Sequence, residues 1–298
     1  MDDRRVHELS GSSFPFQQVD VFSAVPFKGN PVAVVLDADR LSTDQMQAIA
    51  RWTNLSETTF VCIPASPRAD YRLRIFTPHS ELQFAGHPTI GSAHAVLRKG
   101  LKPNSAGLLI QECGRGLVTL SIDGERLFLA LPTPAMRDLV APRLSDLAAA
   151  LGLGADSVRA SAIIDVGVAW ITLQLADASL VRGLRPDQAR IHALTPPGIV
   201  GVTVFGLASP GTQPEIEVRS FAPAEGVPED PVCGSGNGCV AALVRRERLI
   251  ARSTYIAGQG SCVGRDGRVE VRFGDDETIW LGGHAVTCVE GTLRTQVP

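Results

Sequence analysis

Four side chains in this sequence are of types that move or hold protons, and each stands in a distinctive local setting. Glu57 lies in Asn54-Leu55-Ser56-Glu57-Thr58-Thr59-Phe60, a polar stretch between a helical pattern and an apolar strand. Taken alone, a glutamate at such a loop-to-strand edge is a solvated surface residue. A carboxylate whose pKa burial lifts toward neutrality can instead take a proton from one carbon and return it to another. His87 stands in Gly86-His87-Pro88 and Asp230 in Glu229-Asp230-Pro231. Both precede a proline and suit hydrogen bonds to the polar groups of a substrate, although Asp230 also suits a helix N-cap. Cys233, in Val232-Cys233-Gly234-Ser235, is at or near a helix start, where a thiolate is stabilised. A buried, inert cysteine is the plain alternative.

His87 and Asp230 open two copies of one pattern, x-Pro-x-x-Gly-Ser: His87-Pro88-Thr89-Ile90-Gly91-Ser92 and Asp230-Pro231-Val232-Cys233-Gly234-Ser235. Proline in a first helical turn, with unobstructed glycine backbone, presents N–H groups at a helix start. Gly86, Gly91 and Ser92 from one copy, and Gly234, Ser235 and Cys233 from the other, are therefore candidates to bind a carboxylate. Two such helix starts facing across a cleft would also stabilise a developing enolate-like charge. The alternative is that glycine and serine here only allow tight helix–strand packing. Gly234-x-Gly236-x-Gly238 lacks the strand–helix frame and the following acidic residue of a dinucleotide site.

The elements that must position these residues repeat once along the chain. Asp20-Val21 returns as Asp165-Val166, Leu41-Ser42-Thr43-Asp44-Gln45 as Leu184-Arg185-Pro186-Asp187-Gln188, and Gly114-Arg115 as Gly264-Arg265. With the proline pattern, four landmarks recur in order at an offset of about 145 residues, which is domain-sized. The duplication sets His87 against Asp230 and Cys233 against Ile90. It maps Glu57 onto Val200 or Val202, in a strand without a carboxylate, so a shared site would hold one acid–base group. Ser42 and Gln45 form a capping box for a helix presenting Met46, Ile49 and Ala50. Leu117 to Ile122 and Leu127 to Leu131 read as a hairpin around Asp123-Gly124, and Val269 to Phe273 with Ile279 to Leu281 as its partner in the second half. A second-half helix is expected at Leu144-Ser145. Leu131-Pro132-Thr133-Pro134 joins the halves, giving domains of 1–133 and 134–298 with a ligand cleft between them.

Bulk properties remove several function classes. The 298 residues carry a net charge of −3, so no basic field points to nucleic acid. The first residues, Met1-Asp2-Asp3-Arg4-Arg5, lack the apolar run of a secretory signal, and no stretch suits a membrane helix. Six cysteines without a C-x-x-C pair and six histidines without a zinc spacing indicate a reducing cytoplasm and no metal.

Phe27-x-Gly29-Asn30-Pro31-x-Ala33-Val34, Asn54-Leu55-Ser56-Glu57-Thr58-Thr59-Phe60, Gly86-His87-Pro88-Thr89-x-Gly91 and Glu229-Asp230-Pro231-x-x-Gly234-Ser235 together resemble the PhzF-like phenazine-biosynthesis isomerase family. Gln259-Gly260-x-x-x-Gly264-Arg265 and Gly282-Gly283-x-Ala285-Val286 fit as well, so the resemblance runs from about Gln17 to Gly291. It implies the diaminopimelate-epimerase-like fold: two similar α/β domains, pseudo-twofold related, each a mainly antiparallel sheet rolled around a central helix. It also implies that a C-terminal tail, from about residue 286, returns to the first domain. The resemblance further implies Glu57 as the acid–base group, with His87, Asp230 and Ser235 holding substrate and assisting proton transfer. It implies isomerisation of a small carboxylate, a dihydro-hydroxyanthranilate in the family's named reaction, without cofactor and commonly as a homodimer. Cys233 and Gly236-Asn237-Gly238 depart from the family's usual residues. Cys-Gly-Ser-Gly is closer to the thiol motif of cofactor-independent amino-acid epimerases and proline racemases. Two further readings therefore stand beside the isomerase: a thiol-using epimerase, racemase or dehydratase with Cys233 catalytic, and a non-enzymatic binding protein on the same fold.

Overall fold

A computed structural model describes residues 12–295. The first half runs β1 (Ser12–Val21), β2 (Asn30–Val35), α1 (Thr43–Thr53), β3 (Thr58–Cys62), β4 (Tyr71–Phe76), β5 (Glu81–Leu82), α2 (Gly86–Arg98), β6 (Leu108–Cys113), β7 (Gly116–Asp123), β8 (Arg126–Ala130) and β9 (Ala135–Arg137). The second runs α3 (Ala141–Ala150), β10 (Val158–Asp165), β11 (Ala169–Leu175), α4 (Ala178–Gly183), α5 (Gln188–Leu194), β12 (Gly201–Leu207), β13 (Ile216–Ala222), β14 (Val227–Asp230), α6 (Gly234–Arg246), β15 (Thr254–Gln259), β16 (Gly267–Phe273) and β17 (Ile279–Thr295).

Local chemistry explains the elements that carry the repeat. The Ser42–Gln45 capping box forms as expected, and α1 turns Met46 and Ala50 inward. In β4 and β13, Arg74-x-Phe76-x-Pro78 and Arg219-x-Phe221-x-Pro223 occupy the same place, with Phe76 opposite Thr58 and Phe221 opposite Val202. Strand pairing is then the same in both halves. In the first, β1–β2, β3–β4, β6–β7 and β7–β8 are antiparallel, whereas β2–β3 and β4–β6 are parallel. In the second, β10–β11, β12–β13, β15–β16 and β16–β17 are antiparallel, whereas β11–β12 and β13–β15 are parallel. β8 pairs with β17 at the centre, β17 continues along the whole of β1, and β9 crosses to β10. The described strands form one continuous sheet that wraps around α2 in the first half and around α6 in the second. This is the two-part α/β architecture, each part mainly antiparallel and wrapped on a helix, that the family resemblance implied. One buried apolar cluster runs through both halves, from Val19 and Ile90 to Val240 and Leu281.

Three details of the expected layout are corrected. Arg126 pairs with Asp123, so the hairpin turn is Gly124-Glu125 and not Asp123-Gly124. The Asp123 carboxylate stays on the strand because it is ion-paired with Arg126 and Arg272. The second correction concerns the helices. Ala85 and Cys233 cap α2 and α6, and Gly100 and Arg248 leave them in the left-handed region, so the helices align at an offset of 148 residues (233 − 85 and 248 − 100). His87 is thus the counterpart of Ser235, and Cys233 of Ala85. Asp230 instead closes β14, an edge strand with a short loop before α6, and Pro231 lies outside the helix. The third concerns Glu57. The Phe76 and Phe221 pairings put it opposite Gly201, not Val200 or Val202. A Cβ at Gly201 would come within 2.0 Å of the Phe221 carbonyl oxygen, so that half has no room for any side chain there.

Candidate functional site

Helix α1 ends at Asn54, whose left-handed conformation reverses the chain into Leu55-Ser56. That reversal delivers Glu57 to the mouth of the first sheet, one residue before β3. Its side chain is only 16% exposed, and Oε2 is buried with no hydrogen-bond partner. Burial lifts its pKa to about 7, against the opposing pull of a hydrogen bond with the Ser56 side chain.

His87 lies in the first turn of α2 and reaches the same point. Its Nε2 is 3.3 Å from Glu57 Oε2, yet it too lacks a partner of hydrogen-bond geometry. Burial lowers its pKa to about 4, opposed by the charge of Asp230 and by a hydrogen bond to the Pro31 backbone. Proline has no N–H, so the histidine ring donates to the Pro31 carbonyl. With Nε2 unpartnered, that donor is Nδ1. The ring is therefore neutral, and Nε2 turns a bare lone pair toward Glu57.

Asp230 enters from the second half at the end of β14. Burial raises its pKa to about 6; the His87 ring opposes this, the Glu57 charge adds to it, and hydrogen bonds from Val232 N–H and the Cys233 side chain oppose it. Its Oδ1 accepts from Val232 N–H and from Asn30 Nδ2, each at 3.0 Å. Asp230 is therefore no helix cap. That place belongs to Cys233, whose Sγ accepts the Gly236 N–H at 3.2 Å. Gln259 joins the two, accepting the Cys233 N–H and donating to the Asp230 carbonyl.

The two helix starts abut. A Cβ at Gly234 would sit 3.6 Å from the His87 backbone nitrogen and 3.6 Å from the Phe22 ring. At Gly86 an added Cβ would meet only Leu129, at 3.9 Å, so this glycine is not demanded by packing. Ser235 accepts from Trp170 Nε1 at 2.9 Å and lies 3.6 Å from Cys233 Sγ. Gly91 and Ser92 are elsewhere. A Cβ at Gly91 would fall 2.4 Å from Val32 Cγ1, and Ser92 Oγ is hydrogen-bonded to Thr59 within the core. The structure thus brings Glu57, His87 and Asp230 together with Gly86, Gly234, Cys233 and Ser235 around them, and leaves Gly91 and Ser92 as packing residues.

Cys233 differs from the low-pKa thiol that its helix start suggested. Burial raises its pKa well above the ordinary thiol value, and the Asp230 charge raises it further; the Gly236 N–H and Ser235 oppose this without prevailing. Asn30, Gln259 and Phe22 had no role assigned from sequence. Asn30 and Gln259 stand inside the quoted motifs, but their partners are distant in sequence. Phe22 is fully buried in the left-handed region at φ 64°, a conformation costly for a bulky residue.

The family described as phenazine biosynthesis-like protein matches residues 19–291. Antisense-enhancing sequence 1 of Schizosaccharomyces pombe is 42% identical over 290 residues, covering 93% of this chain and 97% of that protein. The trans-2,3-dihydro-3-hydroxyanthranilate isomerase of Pseudomonas aeruginosa is 34% identical over 258 residues, covering 85% of this chain and 88% of that enzyme. A solved Bacillus anthracis phenazine biosynthesis protein of the PhzF family shares the fold, with TM-score 0.82 and 24% identity over 95% of this chain and 99% of that one.

Proposed function

The chain belongs to the phenazine biosynthesis-like protein family, and on that premise we propose that it is an isomerase in which Glu57 alone carries a proton between two carbons of a small carboxylate substrate, without a cofactor. The observation that carries this reading is the Glu57 carboxyl group, buried, unpartnered at Oε2 and lifted to about 7. A carboxyl poised there is present as both base and acid at neutral pH, which is what a one-group shuttle needs.

The chemistry balances without a co-reactant. Ionised Glu57 takes a proton from an acidic carbon as the C–H bond breaks, and the electron pair moves into the conjugated carboxylate. Protonated Glu57 exchanges its carboxyl hydrogen with solvent and then protonates another carbon of that system. The N–H groups at the starts of α2 and α6 favour the charge that accumulates between the two steps. Neutral His87 orders the protonated Glu57 carboxyl by accepting its hydrogen bond at Nε2, and Asp230 accepts from a donor group of the substrate. The trans-2,3-dihydro-3-hydroxyanthranilate named for the Pseudomonas aeruginosa relative has the required carboxylate. Against the thiol reading stand the burial of Cys233 and the absence of a matching base at Ala85. A cytoplasmic homodimer belongs to the same proposal on the strength of the family resemblance, and sedimentation of the purified chain tests the dimer.

The test is incubation of the enzyme with that compound in D2O, followed by NMR. Product carrying one solvent deuterium at the newly protonated carbon supports the reading. Turnover with all carbon-bound hydrogen retained under exchanging conditions, or no turnover of any conjugated carboxylate, removes it.

A further inference from the structure

We propose that Asn30 is a positioning residue: it spends both amide hydrogens on the opposite half of the molecule, fixing the Asp230 carboxylate and keeping it anionic. This rests on the reading that Asp230 serves the site. Asn30 opens β2 in the first half and is 1% exposed. Its Nδ2 donates to Asp230 Oδ1 and to the Val232 carbonyl, both at 3.0 Å. These partners lie 200 and 202 residues away, on either side of Pro231. The amide therefore clamps the loop between β14 and α6 at the two points that set the direction of the carboxylate.

The backbone beneath Asn30 is itself built to hold that aim. Gly29 N–H donates to Asp20 Oδ2 at 3.2 Å, and a Cβ at Gly29 would lie 2.3 Å from the Val21 carbonyl oxygen. From the second half, Arg265 donates to the Gly29 carbonyl at 3.3 Å and stands 3.9 Å from Asp20. Both oriented donors on Asp230, Asn30 Nδ2 and Val232 N–H, fall on Oδ1, so Oδ2 accepts from neither. Hydrogen bonds to a carboxylate favour its charged form. The titratable groups facing Asp230 are His87 from α2, Glu57 from the loop before β3, and Cys233 at the cap of α6. Among these, burial and Glu57 work against the anion, so removing a neutral donor shifts the balance toward the acid. A leucine or alanine at position 30 would fill part of the space but give no such donor.

The experiment uses aspartate labelled with 13C at the side-chain carboxyl in the full chain, with the Asp230 signal assigned from its loss in Asp230→Asn. In Asn30→Ala the Asp230 titration midpoint moves up by about one pH unit, and the fall in thermal midpoint is larger at neutral than at low pH. In the unmutated protein the Asn30 side-chain NH2 resonances titrate with the Asp230 midpoint, a readout that survives even if the variant fails to fold. An Asn30 signal that does not follow Asp230, or an unmoved Asp230 midpoint in folded Asn30→Ala, overturns the proposal. Full turnover of trans-2,3-dihydro-3-hydroxyanthranilate by Asp230→Asn would instead overturn the reading of Asp230 and leave these titrations to stand on their own.

Discussion

Nε2 of His87 and Oε2 of Glu57 lie 3.3 Å apart in a buried setting, and neither has a hydrogen-bond partner. Two such atoms are costly to leave unsatisfied, and each raises the other's usefulness. With Nδ1 committed to the Pro31 carbonyl, the imidazole offers a lone pair, and with its pKa near 7 the carboxyl offers a proton. A substrate entering between them replaces the missing partners.

The pair predicts the pH dependence of kcat/KM. Glu57 acts first as a base, so activity rises with pH until it is ionised, near 7, and Asp230 contributes a second inflection near 6. The rising limb should steepen below the lower inflection. Asp230→Asn should abolish that steepening while leaving the upper inflection. A flat profile between pH 5 and 8 would contradict these assignments.

Stability should run the other way. The Glu57 pKa is raised from 4.5 to about 7 in the folded protein, so folding disfavours its ionisation, and stability is lost as pH rises through that window. Glu57→Gln removes the penalty. The variant should gain stability on the order of 3 kcal/mol at pH 8 and almost nothing at pH 4, read from denaturant midpoints. An equal effect at both pH values would mean that the gain comes from packing and not from charge.

Cys233 should behave as an inert cap. Its thiol is buried with a raised pKa, whereas Cys262 is exposed. Iodoacetamide at pH 7 should label Cys262 well before Cys233, as mass spectrometry of the digest would show. Cys233→Ser should keep most of the activity, because a hydroxyl also caps a helix. Rapid labelling of Cys233 with parallel loss of turnover would restore the thiol mechanism.

The glycines divide by function. Gly91→Ala drives a Cβ to within 2.4 Å of Val32 Cγ1 and 3.0 Å of Val21 Cγ2, and overpacking of this kind costs about 1–3 kcal/mol. Gly86→Ala meets only Leu129 at 3.9 Å and should leave stability near the parent value. Thermal unfolding compares the two directly, and equal losses would contradict the division.

What could be read in the chain was what lies close along it. Ser42 and Gln45 are three residues apart, and their capping box is a local event. The repeated landmarks gave the doubled architecture because strand periodicity and caps survive duplication. The pairing of His87 with Asp230 misled because Pro88 lies inside α2 while Pro231 precedes the cap of α6, so the proline pattern recurs at 143 residues while the helices align at 148. Position could suggest that Cys233 caps a helix, but the loss of solvent around its sulfur is a tertiary fact. Asn30 stands between a glycine and a proline in sequence, and nothing local announces partners in the other half of the fold.

The central claim is that one carboxylate carries the proton, and the exchange rate of Glu57→Gln tests it most directly. With trans-2,3-dihydro-3-hydroxyanthranilate in D2O, the folded variant should bind as the parent does and incorporate solvent deuterium about 10²–10⁴ times more slowly. Deuterium incorporation at the parent rate by a folded Glu57→Gln protein would contradict it.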